Sequence, residues 1–360
     1  MEQKAKTGGA KAGTGPIFLG VVVLVLTGLV AGVVYLSKTP AGTTPGTTNG
    51  TNPSGTSGTA AAKGGSMTAE AQGKIEQYLN SAKNFANSDP GKAEAILREA
   101  INAYPDAQPL YLAHAEILLS MREIERAYGA YEKAIAIGPR DAKMDMMAGT
   151  VADMAGKPER ALEHYSSARQ AEPGNWEVPV RLAQVQLKLN QITEAKTNLL
   201  TAAKLQPEKA IVWGMMAELY LREGSPSIAL EQVSKARQME PASVAWRLIE
   251  ARALKRLDRV DEALALLVGL PAQERYAPGV LQLMGECYGL LSMPGEAADL
   301  YMGASDADAA NGQLAFDAAV WCEKAGRKEQ AITYAKRAAM TGTPNAEKLQ
   351  QRLTEATGAK

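Results

Sequence analysis

Residues 131–142 read YEKAIAIGPRDA, and features of this stretch recur along the chain. Tyr131 is followed by Ala134 three residues later and by Pro139 five residues after that. The proline belongs to a series with a spacing of 34 residues, which comprises Pro105, Pro139, Pro173, Pro207 and Pro241. Because proline cannot continue an α-helix, the series predicts a helix that ends at the same point of each successive unit.

A longer series with the same period consists of alanine. It comprises Ala93, Ala127, Ala161, Ala195, Ala229, Ala263, Ala297 and Ala331. When each unit is numbered from 1 to 34, these alanines hold position 20, position 8 is also small, position 27 is alanine except at Leu270, and position 24 is large except at Ala335. Small residues at fixed points let two helices cross closely. The pattern predicts eight helix pairs, over residues 74–107, 108–141, 142–175, 176–209, 210–243, 244–277, 278–311 and 312–345.

Position 15 is the predicted turn between the two helices of a pair. It holds residues that tolerate a left-handed backbone at a helix end, namely Gly156, Gly224, Gly326, Asn190 and Asp258. Repeat six departs from the pattern, since Pro271 is expected to shorten its second helix. Residues 345–360 have few apolar positions and are interpreted as a polar capping helix and tail.

The period, the small residues at positions 8, 20 and 27 and the proline at position 32 resemble the tetratricopeptide repeat. So do the aromatic residues at positions 4, 11 and 24, which are Tyr111, Trp213, Tyr220, Tyr288 and Tyr131. The resemblance covers residues 67–344. It implies an all-α, right-handed superhelical solenoid whose concave groove binds peptides or protein segments.

In that family the groove is lined by first-helix positions 2, 5, 6, 9, 12 and 13, and these positions predict a partner-binding surface in two parts. Repeats two and three place apolar side chains there, namely Leu112, Met146, Met147 and Met154. Repeats four to six place basic side chains there, namely Arg181, Lys188, Arg222, Arg252, Lys255 and Arg256. The pattern suits an extended ligand with an apolar part and an acidic part. An ordinary solvated face is the alternative.

The N-terminal part of the chain carries a membrane signal. Residues 17–36 contain no charged side chain, and at about 1.5 Å per residue they match a hydrocarbon core of about 30 Å. A cleavable signal peptide is the alternative. Lys4, Lys6 and Lys11 precede this segment and only Lys38 closely follows it. The positive-inside rule therefore predicts an inner-membrane anchor with residues 1–16 in the cytoplasm and the repeats outside it.

Two further features accompany the predicted anchor. Residues 37–66 are almost entirely Gly, Thr, Pro, Ser, Ala and Asn, a composition that predicts a disordered linker. Gly28 and Gly32 form a G-x-x-x-G pattern, which would allow weak self-association of membrane helices. The ordinary glycine content of membrane helices is the preferred explanation of that pattern.

Charge and motifs favour protein partners over other kinds of function. Thirty-nine basic residues balance 39 acidic ones, which argues against nucleic acid as a partner. No phosphate-binding loop or dinucleotide motif is present, and neither His114 nor His164 is spaced with a nucleophile. No enzyme activity, cofactor or metal is therefore predicted.

Two sets of residues leave alternatives open. Residues 306–317 resemble a calcium-binding loop but lack its glycine and third ligand in the right places, so helix-capping aspartates are the preferred interpretation. Cys287 and Cys322 fall in adjoining repeats, and either buried thiols or a disulfide would fit.

These observations predict a membrane-tethered scaffold or adaptor that mediates protein–protein interactions in the assembly of cell-envelope complexes. A peptide-binding receptor or co-chaperone that captures extended segments in the groove is the alternative. The sequence alone does not identify the partner.

Overall fold

The computed structural model describes residues 68–358, and every regular element in that range is an α-helix. These residues fall into two compact units, an N-terminal unit over 68–223 and a C-terminal unit over 224–358. The helices of the N-terminal unit are α1 (Ala69–Phe85), α2 (Pro90–Ala103), α3 (Gln108–Ser120), α4 (Ile124–Ile137), α5 (Ala142–Met154), α6 (Pro158–Ala171), α7 (Glu177–Lys188), α8 (Ile192–Leu205) and α9 (Ala210–Arg222). Those of the C-terminal unit are α10 (Pro226–Met239), α11 (Val244–Arg256), α12 (Val260–Val268), α13 (Ala272–Arg275), α14 (Pro278–Leu290), α15 (Pro294–Ala307), α16 (Gly312–Lys324), α17 (Lys328–Met340) and α18 (Ala346–Gly358).

Proline and a left-handed residue set the helix ends. Helix α4 ends at Ile137, two residues before Pro139, and the same interval separates the other four prolines of the series from the helices that precede them. Position 15 has a positive φ in seven repeats. The expected residues adopt it, and so do Arg122 (φ 61°) and Ser292 (φ 56°), which the sequence pattern did not predict.

The small residues lie where the helices cross, as predicted. All eight alanines at position 20 are completely buried. The residues at position 24 are buried as well, from Leu97 in repeat one to Ala335 in repeat eight. Positions 20 and 24 lie about one turn apart on the same helix, so each second helix presents a methyl group and, in seven repeats, a larger side chain on its buried face.

One position of the first repeat was predicted wrongly. Ser81, at position 8, is exposed, whereas the next residue, Ala82, is 2% exposed. Helix α1 packs mainly against α2 and to a smaller extent against α3, and it is linked to α2 without a left-handed residue. Asp89 instead caps α2 by accepting a hydrogen bond from the Lys92 backbone N–H at 3.0 Å. With this different connection, the buried face of α1 is shifted by one residue.

The two expected departures from regularity are present in the C-terminal unit. Helix α12, the second helix of repeat six, has 9 residues, and Pro271 precedes the short helix α13. Helix α18 buries Ala346, Leu349 and Leu353 against the preceding pair and exposes mainly polar side chains. It therefore closes the apolar core at the C-terminal end of this unit.

No helix within residues 68–358 is both long enough and apolar enough to cross a membrane. The predicted membrane helix at residues 17–36, its Gly28 and Gly32, and the predicted linker at residues 37–66 lie outside the described residues.

Candidate functional site

We define the first-helix face as positions 2, 5, 6, 9, 12 and 13 of the repeats within one unit. Its predicted apolar part lies on α3 and α5 of the N-terminal unit. Leu112, Met146 and Met147 are partly buried and pack against the core of that unit, whereas Met154 is 43% exposed. The apolar surface open to a partner is therefore centred on Met154 and is smaller than the sequence indicated.

Most of the basic side chains predicted for this face are paired with other groups of the protein. In the N-terminal unit, Lys188 Nζ lies 2.6 Å from Asp153 Oδ2, and Arg222 Nε lies 3.6 Å from Glu218 Oε1. Arg222 also donates to the carbonyl oxygen of Leu187. These pairs reduce the excess of positive charge that the sequence predicted for the first-helix face of this unit.

On the C-terminal unit, Lys255 pairs with Glu286. Arg252 and Arg256 lie on the same helix, α11, and each also has an interaction partner. Sequence reasoning missed the Lys255 pair because its carboxylate belongs to the next repeat.

Arg181 differs from the other predicted basic residues. Among the residues that the structure describes, it has no carboxylate within ion-pair distance, and its Nη1 donates to the neutral Gln184 Oε1 at 3.3 Å. Burial raises the pKa of Tyr165 to about 12, and the positive charge of Arg181 acts against that increase. Of the three basic residues predicted for this face in the N-terminal unit, Arg181 is therefore the one that remains available to a carboxylate.

Tyr165, which is 2% exposed, lies beneath this face on a second helix, where Gly149 leaves room for its ring. A Cβ atom on Gly149 would lie 2.7 Å from Tyr165 Cε1. The Tyr165 hydroxyl lies 3.1 Å from Thr150 Oγ1, and Met154 follows Thr150 by one helical turn on α5. We call Thr150, Met154, Tyr165 and Arg181 the Arg181 site. Sequence reasoning missed Tyr165, although glycine at position 8 with tyrosine at position 24 was a usable signal.

Both histidines lie among charged side chains between helices. His164 is 6% exposed, with Nε2 2.9 Å from Glu132 Oε1 and Nδ1 3.5 Å from Asp145 Oδ1, although neither nitrogen makes a well-aligned hydrogen bond. His114 Nε2 lies 3.4 Å from Glu94 Oε1, and burial lowers the pKa of His114. These contacts join neighbouring helices and give both residues a structural role.

The remaining candidate groups also serve helix packing. Cys287 and Cys322 are buried and unpaired, and burial raises the pKa of both thiols. Asp306 accepts hydrogen bonds from the Tyr334 hydroxyl at 2.9 Å and from Arg337 at 2.6 Å. Within residues 68–358, no group of three or more His, Cys, Asp or Glu side chains is arranged to hold a metal ion.

Comparison with protein families and curated proteins points to the same repeat. Tetratricopeptide repeat models match residues 112–175, 154–219 and 215–274. Superkiller complex protein 3 of Mus musculus is 29% identical over 173 residues, which is 46% of this chain and 11% of that protein. Its counterpart in Homo sapiens is 27% identical over 168 residues, 45% of this chain and 10% of that protein. The chain thus spans about a tenth of the length of these relatives.

Two solved structures share the fold at low sequence identity. A tetratricopeptide repeat protein from Parabacteroides merdae has a TM-score of 0.52 at 17% identity, covering 69% of this chain and 98% of its own. PilW, a type IV pilus biogenesis factor, has a TM-score of 0.50 at 17% identity, covering 59% of this chain and 98% of its own. Residues 112–274 therefore carry tetratricopeptide repeats, and the all-α repeat fold is that of a protein–protein interaction scaffold.

Proposed function

We propose that this protein is a membrane-tethered scaffold that binds extended segments of partner proteins on its first-helix face and supports the assembly of cell-envelope complexes. The Arg181 site carries the proposal. It combines a guanidinium that has no carboxylate partner among residues 68–358 with the exposed side chain of Met154. A guanidinium recognises a carboxylate through paired hydrogen bonds. The ligand is therefore a segment with an acidic residue close to a large apolar one.

Selection from a random library of 12-residue peptides on the full chain tests this ligand. The selected peptides are expected to combine Asp or Glu with Leu or Met, and Arg181→Glu should weaken them about tenfold to a hundredfold, as expected for a charge-assisted hydrogen bond. Fluorescence anisotropy measures the affinity. Arg160→Glu is the matched control, because Arg160 is exposed on α6 and pairs with Glu163 of the same helix.

Unchanged affinity in Arg181→Glu would show that the ligand does not use the Arg181 site. A stable, stoichiometric complex with a partner protein that carries such a segment favours a scaffold. Weak binding confined to isolated peptides favours the receptor or co-chaperone alternative.

The membrane tether rests on the uncharged segment 17–36 and on the three lysines that precede it. In spheroplasts, added protease is expected to degrade the repeats without lysis, because the positive-inside rule places them outside the cytoplasm. Immunoblotting with an antibody against residues 68–358 measures the degradation, with a cytoplasmic protein as the internal control. Protection of the repeats until lysis would reverse the proposed orientation.

A further inference from the structure

The C-terminal unit repeats the arrangement of the Arg181 site with the opposite charge. Five residues of repeats three and four have counterparts in repeats seven and eight, each 136 residues further along the chain, or four repeat lengths. The pairs are Gly149 and Gly285, Thr150 and Glu286, Met154 and Leu290, Tyr165 and Tyr301, and Arg181 and Asp317.

The ring of Tyr301 lies across Gly285 just as that of Tyr165 lies across Gly149. A Cβ atom on Gly285 would lie 2.8 Å from both Cε2 and the hydroxyl oxygen of Tyr301. Burial raises the pKa of Tyr301 to about 12, and the negative charges of Asp317 and Glu286 act in the same direction. Two carboxylates therefore act on the Tyr301 hydroxyl, whereas the Arg181 guanidinium and, more weakly, the Asp153 carboxylate act on the Tyr165 hydroxyl.

An exposed apolar side chain accompanies these carboxylates. Leu290 is 63% exposed at the end of α14, and Phe316 and Val320 are partly buried on α16. The two helices meet where Gly289 faces the ring of Trp321, since a Cβ atom there would lie 3.2 Å from Trp321 Cη2. This region of the first-helix face thus offers an apolar surface for a large side chain.

Asp317 has no basic partner in the part of the chain that the structure describes. Its hydrogen bond comes from the neutral Gln313 Nε2 at 2.9 Å, and no Lys or Arg within residues 68–358 lies at ion-pair distance from it. Burial raises the pKa of its carboxyl group. Glu286, by contrast, is paired with Lys255, and the amine of the nearby Lys324 lies over the Trp321 ring, 4.2 Å from the centroid. An incoming cation would supply the partner that Asp317 lacks.

We propose that Glu286, Leu290, Tyr301 and Asp317 form a second docking site, which binds an extended partner segment carrying a lysine or arginine close to a large apolar residue. Leu290 contacts the apolar side chain, and Asp317 accepts hydrogen bonds from the ammonium or guanidinium group. The inference rests on the proposed function, in which first-helix faces bind extended segments. The two sites then select opposite charges, so one scaffold would hold two different partners.

The same library of 12-residue peptides provides the test, selected on the full chain and on Asp317→Arg. The wild-type protein is expected to select a class of peptides with Lys or Arg near Leu or Met, in addition to the acidic class. Asp317→Asn should weaken the basic class about tenfold and leave the acidic class unchanged. When Asp317→Arg is combined with Arg181→Glu, which removes the acidic class at the first site, the second site should select acidic peptides instead, a gain of binding over Arg181→Glu alone that misfolding would not produce.

Three outcomes separate the inference from the function on which it rests. If the acidic class depends on Arg181 but no basic class depends on Asp317, the second site is wrong and the proposed function stands. If neither class appears, both fail. Sedimentation velocity tests whether a second copy of this chain occupies the surface instead. Dimerisation of the wild-type chain that is lost in Leu290→Ser would assign the surface to that second copy and overturn the inference.

Discussion

Gly149→Ala is expected to lower the free energy of unfolding by about 1–3 kcal/mol, the usual cost of overpacking a core. The new methyl group would lie 2.7 Å from Cε1 and 2.8 Å from Cδ1 of Tyr165, a ring that is 2% exposed. Repeat two accommodates Ala115 together with Tyr131, so the pair is possible where the helices are spaced for it. The cost in repeat three is that of moving α5 and α6 apart.

Urea denaturation followed by circular dichroism measures this effect. Gly129→Ala is the matched control, because no atom lies within 4 Å of its new methyl group, and in an exposed helix interior it should stabilise by about 0.5–1 kcal/mol. The double variant Gly149→Ala with Tyr165→Leu should recover part of the loss, since it reproduces the buried pair Ala183 and Leu199 of repeat four. Equal stability of the two single variants would contradict the proposed clash.

Arg140→Met is expected to lower the free energy of unfolding by about 2 kcal/mol or more. Arg140 Nε donates to both carboxylate oxygens of Asp145 at 2.8 Å, and Asp145 is 2% exposed. Without the guanidinium a buried carboxylate loses its main partner, a change that costs about 3–5 kcal/mol when both groups are buried. The Arg140 side chain is 42% exposed, so water can partly replace its hydrogen bonds to Asp145. The expected loss is therefore about 2 kcal/mol, below the range for a fully buried pair.

Arg160→Met provides the comparison for this prediction. Arg160 and Glu163 form an ion pair whose side chains are 60% and 62% exposed, so its loss should cost at most about 0.5 kcal/mol. Adding Asp145→Asn to Arg140→Met should restore part of the stability, because the amide is neutral. An Arg140→Met variant as stable as Arg160→Met in the same urea series would show that Asp145 does not depend on Arg140.

The helix pairs could be predicted because their packing requires small residues at a fixed period. Ala93 and its seven counterparts are buried, and helices end before the recurrent prolines. Ser81 was misplaced because α1 has a different connection to its partner helix. Arg122 and Ser292 were not predicted because neither residue type favours the left-handed backbone that they adopt.

The candidate site was harder to predict because the charge available at each residue depends on contacts between neighbouring repeats. Lys188 is a basic residue in the sequence, yet in the fold it is paired with Asp153, 35 residues away. Whether Arg181 or Lys188 retains an available charge therefore depends on which carboxylates the neighbouring helices bring close. Tyr165 likewise packs beneath the face, where a glycine in the preceding helix leaves space for its ring.

The buried alanines at position 20 affect the conformational entropy of the protein. Alanine has no side-chain rotamers to lose when it is buried, whereas burying an isoleucine or leucine costs about 0.5–1 kcal/mol and an arginine or methionine about 1.5–2 kcal/mol. Position 20 is thus buried in every repeat at no cost in side-chain rotamer freedom. Rotamer freedom remains in long, exposed side chains such as Met154 and Leu290. A partner that immobilises them would pay that entropy on binding, which favours ligands that contact few of them.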